Sequence, residues 1–381
     1  MSKEQKRTGD EVKRKPRPSG RIYPASRVPL TAFYGVVLLL RRVAESRSFA
    51  SAYVFPGGQL DEFHDSMKDG QEPVEDSIYR WAAVRETFEE TGILLARTKS
   101  NDGPSDAPLL QLTDNVANAT RKRIHNRQEN FREWLASVGG VPDDAGLIPF
   151  TRWNTPLGMP KRFTTQMYLY MLPISPTNSS PTGHATTHNE VFVPKATHDG
   201  GIEHNIAEFD DVSTWLAKAR AGEIILFPPQ AYLLHLMSEF LTGRPPQGSD
   251  EQHASSEAEA TYYQAQREAL IIFLNKKPTA RPADAPYPPH PTAQIAWAEK
   301  VMSPKILGKL DSGKRAVLEV SSPGPELMKS GSKAGGDYDR VILVEYGADR
   351  KLSKVDVKWR QDVMGELERE KLAVRGETAK L

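Results

Sequence analysis

The sequence contains no cysteine. That removes disulfides, thiolate metal sites and cysteine nucleophiles, and it disfavours a secreted protein held together by cross-links. It has no apolar run near the roughly 20 residues that cross a bilayer. The run at residues 35–40 suits a buried strand. The N-terminus lacks the apolar core of a secretory signal. There is no excess of one charge either: 50 Lys and Arg face 49 Asp and Glu, so net charge draws the chain to no acidic partner. Hydrophobic residues make up 38% of the chain, low enough that part of it is expected outside any packed core.

What is present divides along the chain. Residues 1–22 are polar and basic with no aromatic residue among the charges, which reads as a solvated, disordered tail without a stacking platform for bases. Residues 31–40 and 53–55 read as strands, the second stopped by Pro56-Gly57-Gly58. From about Asp76 to Ala96 the pattern turns helical, with Trp81, Val84 and Phe88 on one face. A second helix is expected over 121–138, a strand over 163–172, a short strand over 190–194, and helices over 211–221, 229–242 and 262–275. Residues 246–285 read as a linker with a possible helix. Short strands at 316–320, 341–346 and 355–359 predict a small β-rich extension over 286–370, expected to contribute no catalytic group. A tail, 371–381, ends the chain.

The stretch Arg85-Glu86-Thr87-Phe88-Glu89-Glu90-Thr91-Gly92-Ile93 carries the chemistry. Helical spacing puts Glu86, Glu89 and Glu90 on one face, where like charges cost a few tenths of a kcal/mol per pair. A hard divalent cation reverses that sign, because Mg²⁺ takes oxygen ligands and shares them with substrate phosphates. Gly92 can end the helix. Upstream, Phe55-Pro56-Gly57-Gly58 is a strand running into a glycine turn, where backbone can approach a ligand closely.

These residues resemble the Nudix box, a glycine turn leading to a helix that bears Arg-Glu-X-X-Glu-Glu-X-Gly and an aliphatic residue. Arg85, Glu86, Glu89, Glu90, Gly92 and Ile93 fit position by position, and Thr87 stands where an aliphatic residue is usual. Gly58 and Arg85 are 27 positions apart, 13 more than in the usual box. The family's further glutamate, eight positions before the arginine, would fall on Ser77, with Glu75 as a possible replacement. Residues 54–61, 82–96, Trp153-Asn154-Thr155-Pro156 and Pro160-Lys161-Arg162-Phe163 resemble the branch of peroxisomal coenzyme A diphosphatases, which also carries a helical insertion, here about 97–148. Residues 222–229 fit the end of that branch, and the resemblance covers about 23–245.

The resemblance implies an α/β Nudix α/β/α sandwich with a mixed sheet, a helical insertion and the small β-rich C-terminal extension. It implies a diphosphate hydrolase using Mg²⁺ or Mn²⁺, with Glu86, Glu89, Glu90 and the Gly58 carbonyl as metal ligands and Arg85 orienting the carboxylates. Glu203, on a late loop, is the expected general base and Glu89 its rival. Lys161 and Arg162 are expected to grip phosphate. His204 and Trp153 read as a structural histidine and a core tryptophan. The substrate implied is coenzyme A or an acyl-CoA, cut to phosphopantetheine and adenosine 3′,5′-bisphosphate. Alternatives are another nucleotide substrate (a nucleotide sugar, a dinucleotide or capped RNA) or a catalytically silent scaffold. The terminal Ala379-Lys380-Leu381 resembles a peroxisomal address and implies the import receptor as a partner, with the cytoplasm as the other location. Neither a membrane nor nucleic acid is expected as a partner.

Overall fold

The computed structural model describes residues 22–31, 35–44, 51–65, 75–99, 109–159, 161–172, 196–197, 203–243, 256–329, 335–347 and 351–378. The basic tail, the strand expected over 190–194 and the terminal Ala379-Lys380-Leu381 lie outside these residues.

One strand sets the layering. Along Val36–Arg42 successive side chains must point to opposite faces of a sheet, and every one of its apolar residues finds a core. Val37 and Leu39 join one buried cluster, Leu38 and Leu40 another. The strand Arg162–Met171 repeats this, with Met167 and Leu169 on the first face and Tyr168 and Tyr170 on the second. Among the described residues these strands belong to a nine-stranded mixed sheet. Its path runs Ile225–Leu226, Ala52–Val54, Val36–Arg42, Leu30–Thr31, Arg162–Met171, Leu147–Asn154 and Val301–Met302. Ile22–Arg27 pairs in parallel with Arg162–Met171, and His204–Asp211 pairs antiparallel with Val36–Arg42.

Helices cover both faces. Glu75–Thr91 packs Tyr79, Ala83, Val84 and Phe88 onto the second face. Val212–Ala221 and Pro228–Ser238 pack Trp215, Leu216, Tyr232 and Leu233 onto the first. The insertion is two helices, Asp114–His125 and Phe131–Ser137, rather than the single one expected from 121. Arg127 at φ 53° breaks the run, and the Asn130 side chain caps the second helix by accepting from the backbone N–H groups of Arg132 and Glu133. Trp134 stacks on Phe88 with ring centroids 5.0 Å apart, which fixes the insertion against the Glu75–Thr91 helix.

The C-terminal extension is an antiparallel sheet, Lys305–Leu310, Arg315–Val320, Asp337–Tyr346 and Leu352–Trp359 in that order. Alternation again decides its packing. Ile342, Val344, Val355 and Val357 enter the first-face core of the main sheet. Val341 and Leu343 meet Val363 and Leu367 of the helix Arg360–Thr378, which begins inside the stretch expected to be β-rich. The linker holds a 20-residue helix, Ser256–Asn275, with Leu270, Phe273 and Leu274 in the same first-face core. Strand Val301–Met302 joins the main sheet beside Leu147–Asn154. The extension therefore shares a core and a sheet with the rest of the chain instead of standing apart at 286.

Buried charges tie this junction. The Tyr232 hydroxyl donates to Asp337 at 2.5 Å, and Arg340 donates to Asp337 and to Glu239 at 3.3 and 3.1 Å. Nearby, burial and then the Arg340 charge push the His235 imidazole down to about 4. The unfolded value is about 6.5, so between the two the unfolded chain binds the proton and the folded chain does not. His235 should therefore cost nothing above about pH 6.5 and remove roughly 2–3 kcal/mol of stability as pH falls toward 4. His235→Gln is expected to flatten the acid limb of a Tm-versus-pH curve in that window. An unchanged limb would clear His235 as its cause.

Candidate active site

The helix Glu75–Thr91 delivers the carboxylates, and its end is fixed by its own threonines. Thr87, fully buried, donates its hydroxyl to the Ala83 carbonyl at 2.7 Å, and Thr91 donates to the Thr87 carbonyl at 2.6 Å. Thr87 thus sits in an apolar position without an unpaired hydroxyl. Gly92, at φ 76°, ends the helix.

Arg85 is almost fully buried and every arm of its fork is used. It donates from Nε and Nη2 to the two oxygens of Asp65 at 3.0 and 2.8 Å, and from Nη1 to Glu86 and Glu89, each at 2.9 Å. Nη2 also reaches the Gln59 carbonyl at 3.1 Å. A guanidinium so engaged positions carboxylates and leaves no arm for substrate. Asp65 ends the short helix Glu62–Asp65 and is as buried as Arg85. Asp65 is the acid that meets the arginine, whereas Ser77 carries no carboxyl. Ser77 lies on the first turn of the Glu75–Thr91 helix.

The two glycines of the turn serve different carboxylates. Gly57 has φ 137°, and a Cβ there would stand 2.2 Å from the Ser26 carbonyl oxygen, so only glycine fits. Its N–H donates to Glu90 at 2.7 Å. Gly58 needs space for another reason: a Cβ would lie 2.5 Å from the Glu86 carboxyl. Its carbonyl accepts from the Ser26 N–H at 3.0 Å, which commits one lone pair.

Burial, added to repulsion from Glu89, pushes the Glu86 carboxyl up to about 7 despite Arg85. Burial and then the Glu86 charge raise Glu90 well above the usual carboxylate range. Burial also acts on Glu89, but the nearby His125 ring and the Arg85 guanidinium outweigh it and hold that carboxyl low. Two crowded, partly uncompensated carboxylates form an oxygen donor set that a divalent cation would neutralise.

The other residues singled out from sequence divide. Glu203 comes to the cluster: its carboxylate, the Glu90 carboxylate and a His204 ring nitrogen lie within 4.8 Å of one another. Arg42 holds Glu203 at 3.2 Å. His204 is fully buried, with Nδ1 3.6 Å from Glu90. Trp153 is buried in the core and also lines the cavity. Lys161 lines the cavity and donates to the Gln59 side chain at 3.0 Å. Arg162 does not line it; it is buried and donates from Nε to the Thr155 carbonyl at 3.0 Å. Alternation is the reason. Lys161, Phe163, Thr165 and Met167 face the cavity, which sends Arg162 to the opposite side.

Sequence reasoning missed Asp65, Arg27, Arg121 and His125. Arg27 donates to the Phe55 carbonyl at 2.6 Å behind the glycine turn. Arg121 donates to the Glu89 carbonyl at 2.8 Å, and the His125 ring stands 3.7 Å from the Glu89 carboxylate. Both come from the insertion, whose basic helix face at 121–125 was the available signal.

Residues 62–236 match the family model described as the NUDT19 Nudix domain. A putative nudix hydrolase 7 of Caenorhabditis elegans is 27% identical over 203 residues, covering 53% of this chain and 56% of that protein. The acyl-coenzyme A diphosphatase NUDT19 of Homo sapiens is 33% identical over 126 residues, covering 32% of this chain and 33% of that protein. The chain thus spans between a third and just over half of these relatives' length. A solved NUDIX hydrolase from Alicyclobacillus acidocaldarius has a TM-score of 0.40 at 20% identity, covering 57% of this chain and 91% of that one.

Proposed function

We propose that this chain, whose residues 62–236 belong to the Nudix family, hydrolyses the diphosphate of coenzyme A or an acyl-CoA. Water adds across one P–O–P bond, giving phosphopantetheine (or its acyl form) and adenosine 3′,5′-bisphosphate. The observation that carries the reading is the carboxylate cluster Glu86, Glu89 and Glu90, fixed by Arg85 and the glycine turn in the lining of a large cavity. The names of the relatives support the coenzyme A choice.

Glu86, Glu89 and Glu90 would hold Mg²⁺ or Mn²⁺, and the Gly58 carbonyl has a second lone pair to add. When bound, such a cation neutralises diphosphate oxygens and lowers the pKa of water. The chain's own residues do the rest. Arg85 and Asp65 keep the carboxylates in register. Glu203 is proposed as the general base: it lines the cavity beside Glu90, and its side chain is 45% exposed, so water reaches it. Both oxygens of Glu89 face partners instead, Arg85 and His125. Lys161 is proposed to meet a substrate phosphate.

The test is product analysis with coenzyme A, dodecanoyl-CoA, ADP-ribose, a dinucleotide and capped RNA, each with Mg²⁺. The expected result is adenosine 3′,5′-bisphosphate from the coenzyme A compounds. Faster cleavage of another member would discard this substrate, and no cleavage of any would leave the silent scaffold. Peroxisomal delivery through Ala379-Lys380-Leu381 belongs to the same proposal. A tagged chain lacking 379–381 should remain outside peroxisomes, and its normal delivery would refute the address. Among the described residues, no helix is long and apolar enough to cross a membrane.

A further inference from the structure

The cavity that begins at the carboxylates has a volume of about 2110 Å³. Pockets for small ligands usually run to about 300–1,000 Å³, so this one holds far more than a diphosphate and a nucleoside. Its ends differ in chemistry. The carboxylate end carries Lys161 and the basic helix face of the insertion. Another part of its lining comes from the C-terminal sheet and the short helix Pro325–Lys329 that follows the second strand: Ile306, Leu318, Met328 and Tyr346 line it, with Lys305 and Lys351 beside them.

The apolar side chains of that wall are uncovered. Ile306 is 61% exposed, Met328 64% and Tyr346 51%. In the same cavity, the loop after the strand Leu147–Asn154 presents Leu157 at 65% and Met159 at 52%. Single exposed apolar side chains need no explanation, whereas a contiguous set marks a binding surface. These five line one cavity, from two parts of the chain far apart in sequence. The main-sheet strand Arg162–Met171 lines the same cavity through Phe163, Thr165 and Met167.

We infer that the C-terminal sheet is a wall of the substrate site, and that it takes a long aliphatic arm of the molecule whose diphosphate lies at the carboxylates. The inference rests on the diphosphatase reading for the location of the diphosphate, and it makes a long-chain acyl-CoA the preferred substrate. The occupant follows from continuity: these apolar side chains line the same cavity as the carboxylates at which the diphosphate would react. The extension is thereby a specificity element, which explains why it shares a core with the catalytic unit.

The experiment uses the full chain with Ile306→Asp and Met328→Asp, exposed positions where a charge leaves the fold intact. The first readout is calorimetric binding of S-dodecanoyl pantetheine, which has no phosphate. Wild type should bind it, and each variant should weaken binding about tenfold by placing a charge against the chain. The second is the ratio of kcat/KM for dodecanoyl-CoA over free coenzyme A, which should fall about tenfold in each variant. Absence of probe binding to wild type, or equal binding and equal ratios in the variants, would overturn the wall. Probe binding lost in the variants, in a chain that cleaves no coenzyme A compound, would overturn the diphosphatase reading and leave the wall standing.

Discussion

Glu90→Gln is expected to lower kcat for coenzyme A hydrolysis about a thousandfold, the equivalent of about 4 kcal/mol at 1.36 kcal/mol per decade. The same change should leave the metal-free protein as stable as wild type or more so. Glutamine keeps an oxygen to accept from the Gly57 N–H, so the turn is held. What it removes is a buried charge that its surroundings disfavour, since burial and the Glu86 charge raise the Glu90 carboxyl well above the usual range. A raised carboxyl penalises the folded state at every pH above its unfolded value near 4.5. Activity and stability should thus move in opposite directions, as expected where a site stores repulsion for a cation to relieve. Steady-state kinetics with Mg²⁺ and thermal unfolding in chelator measure the two sides. A variant that lost activity and melted markedly lower would place Glu90 in the scaffold instead.

Asp65→Ala should cost about 3 kcal/mol of stability, because it leaves two N–H groups of the buried Arg85 guanidinium without an acceptor while Glu86 and Glu89 still face its charge. Both side chains of the pair are only 3% exposed, so water cannot replace the lost partner. Activity should fall as well, since Arg85 holds Glu86 and Glu89 by one nitrogen and is itself aimed by Asp65. The control is the double variant Asp65→Ala with Arg85→Leu. If the pair acts as argued, the double variant is far less unstable than the two single losses summed. Denaturant midpoints at constant m-value read this directly, and additive losses would show that the two side chains stabilise the fold independently.

Asp65 also shows where the sequence stopped being legible. The carboxylate helix could be read residue by residue, because its chemistry needs neighbours at three and four positions and the chain supplies them at 86, 89 and 90. The glycine turn was legible for the same local reason. The acid that aims Arg85 was not, because counting back from the arginine assumes a fixed loop length. The extra residues between turn and helix shift that count, and the acid stays with the turn, seven positions after Gly58. Arg162 teaches a related point. Its charge beside Lys161 suggested a shared grip on phosphate, but strand alternation separates neighbours, and the row Lys161, Phe163, Thr165, Met167 takes the cavity side.

Long-range partners were the remaining blind spot. Glu203 could be proposed from its place before a late strand, and antiparallel pairing of Val36–Arg42 with His204–Asp211 brings it beside Glu90. Nothing local announced that His125 would meet Glu89, since that contact depends on how the insertion docks through Trp134 and Phe88. The extension looked separable because its short strands are self-contained as a pattern. The strand Val301–Met302 and the apolar faces of the C-terminal sheet join it to the main core, which no count of strands reveals.

The central claim is that the carboxylates of one helix hold a divalent cation on which diphosphate hydrolysis depends. Titration of the full chain with Mn²⁺, followed by EPR of the free ion, tests it most directly when coenzyme A cleavage is measured on the same samples. Wild type is expected to take up Mn²⁺ with cleavage rising in step, and folded Glu90→Gln to do neither. Wild type cleaving coenzyme A in chelator, or Glu90→Gln matching wild type in both uptake and turnover, would contradict it.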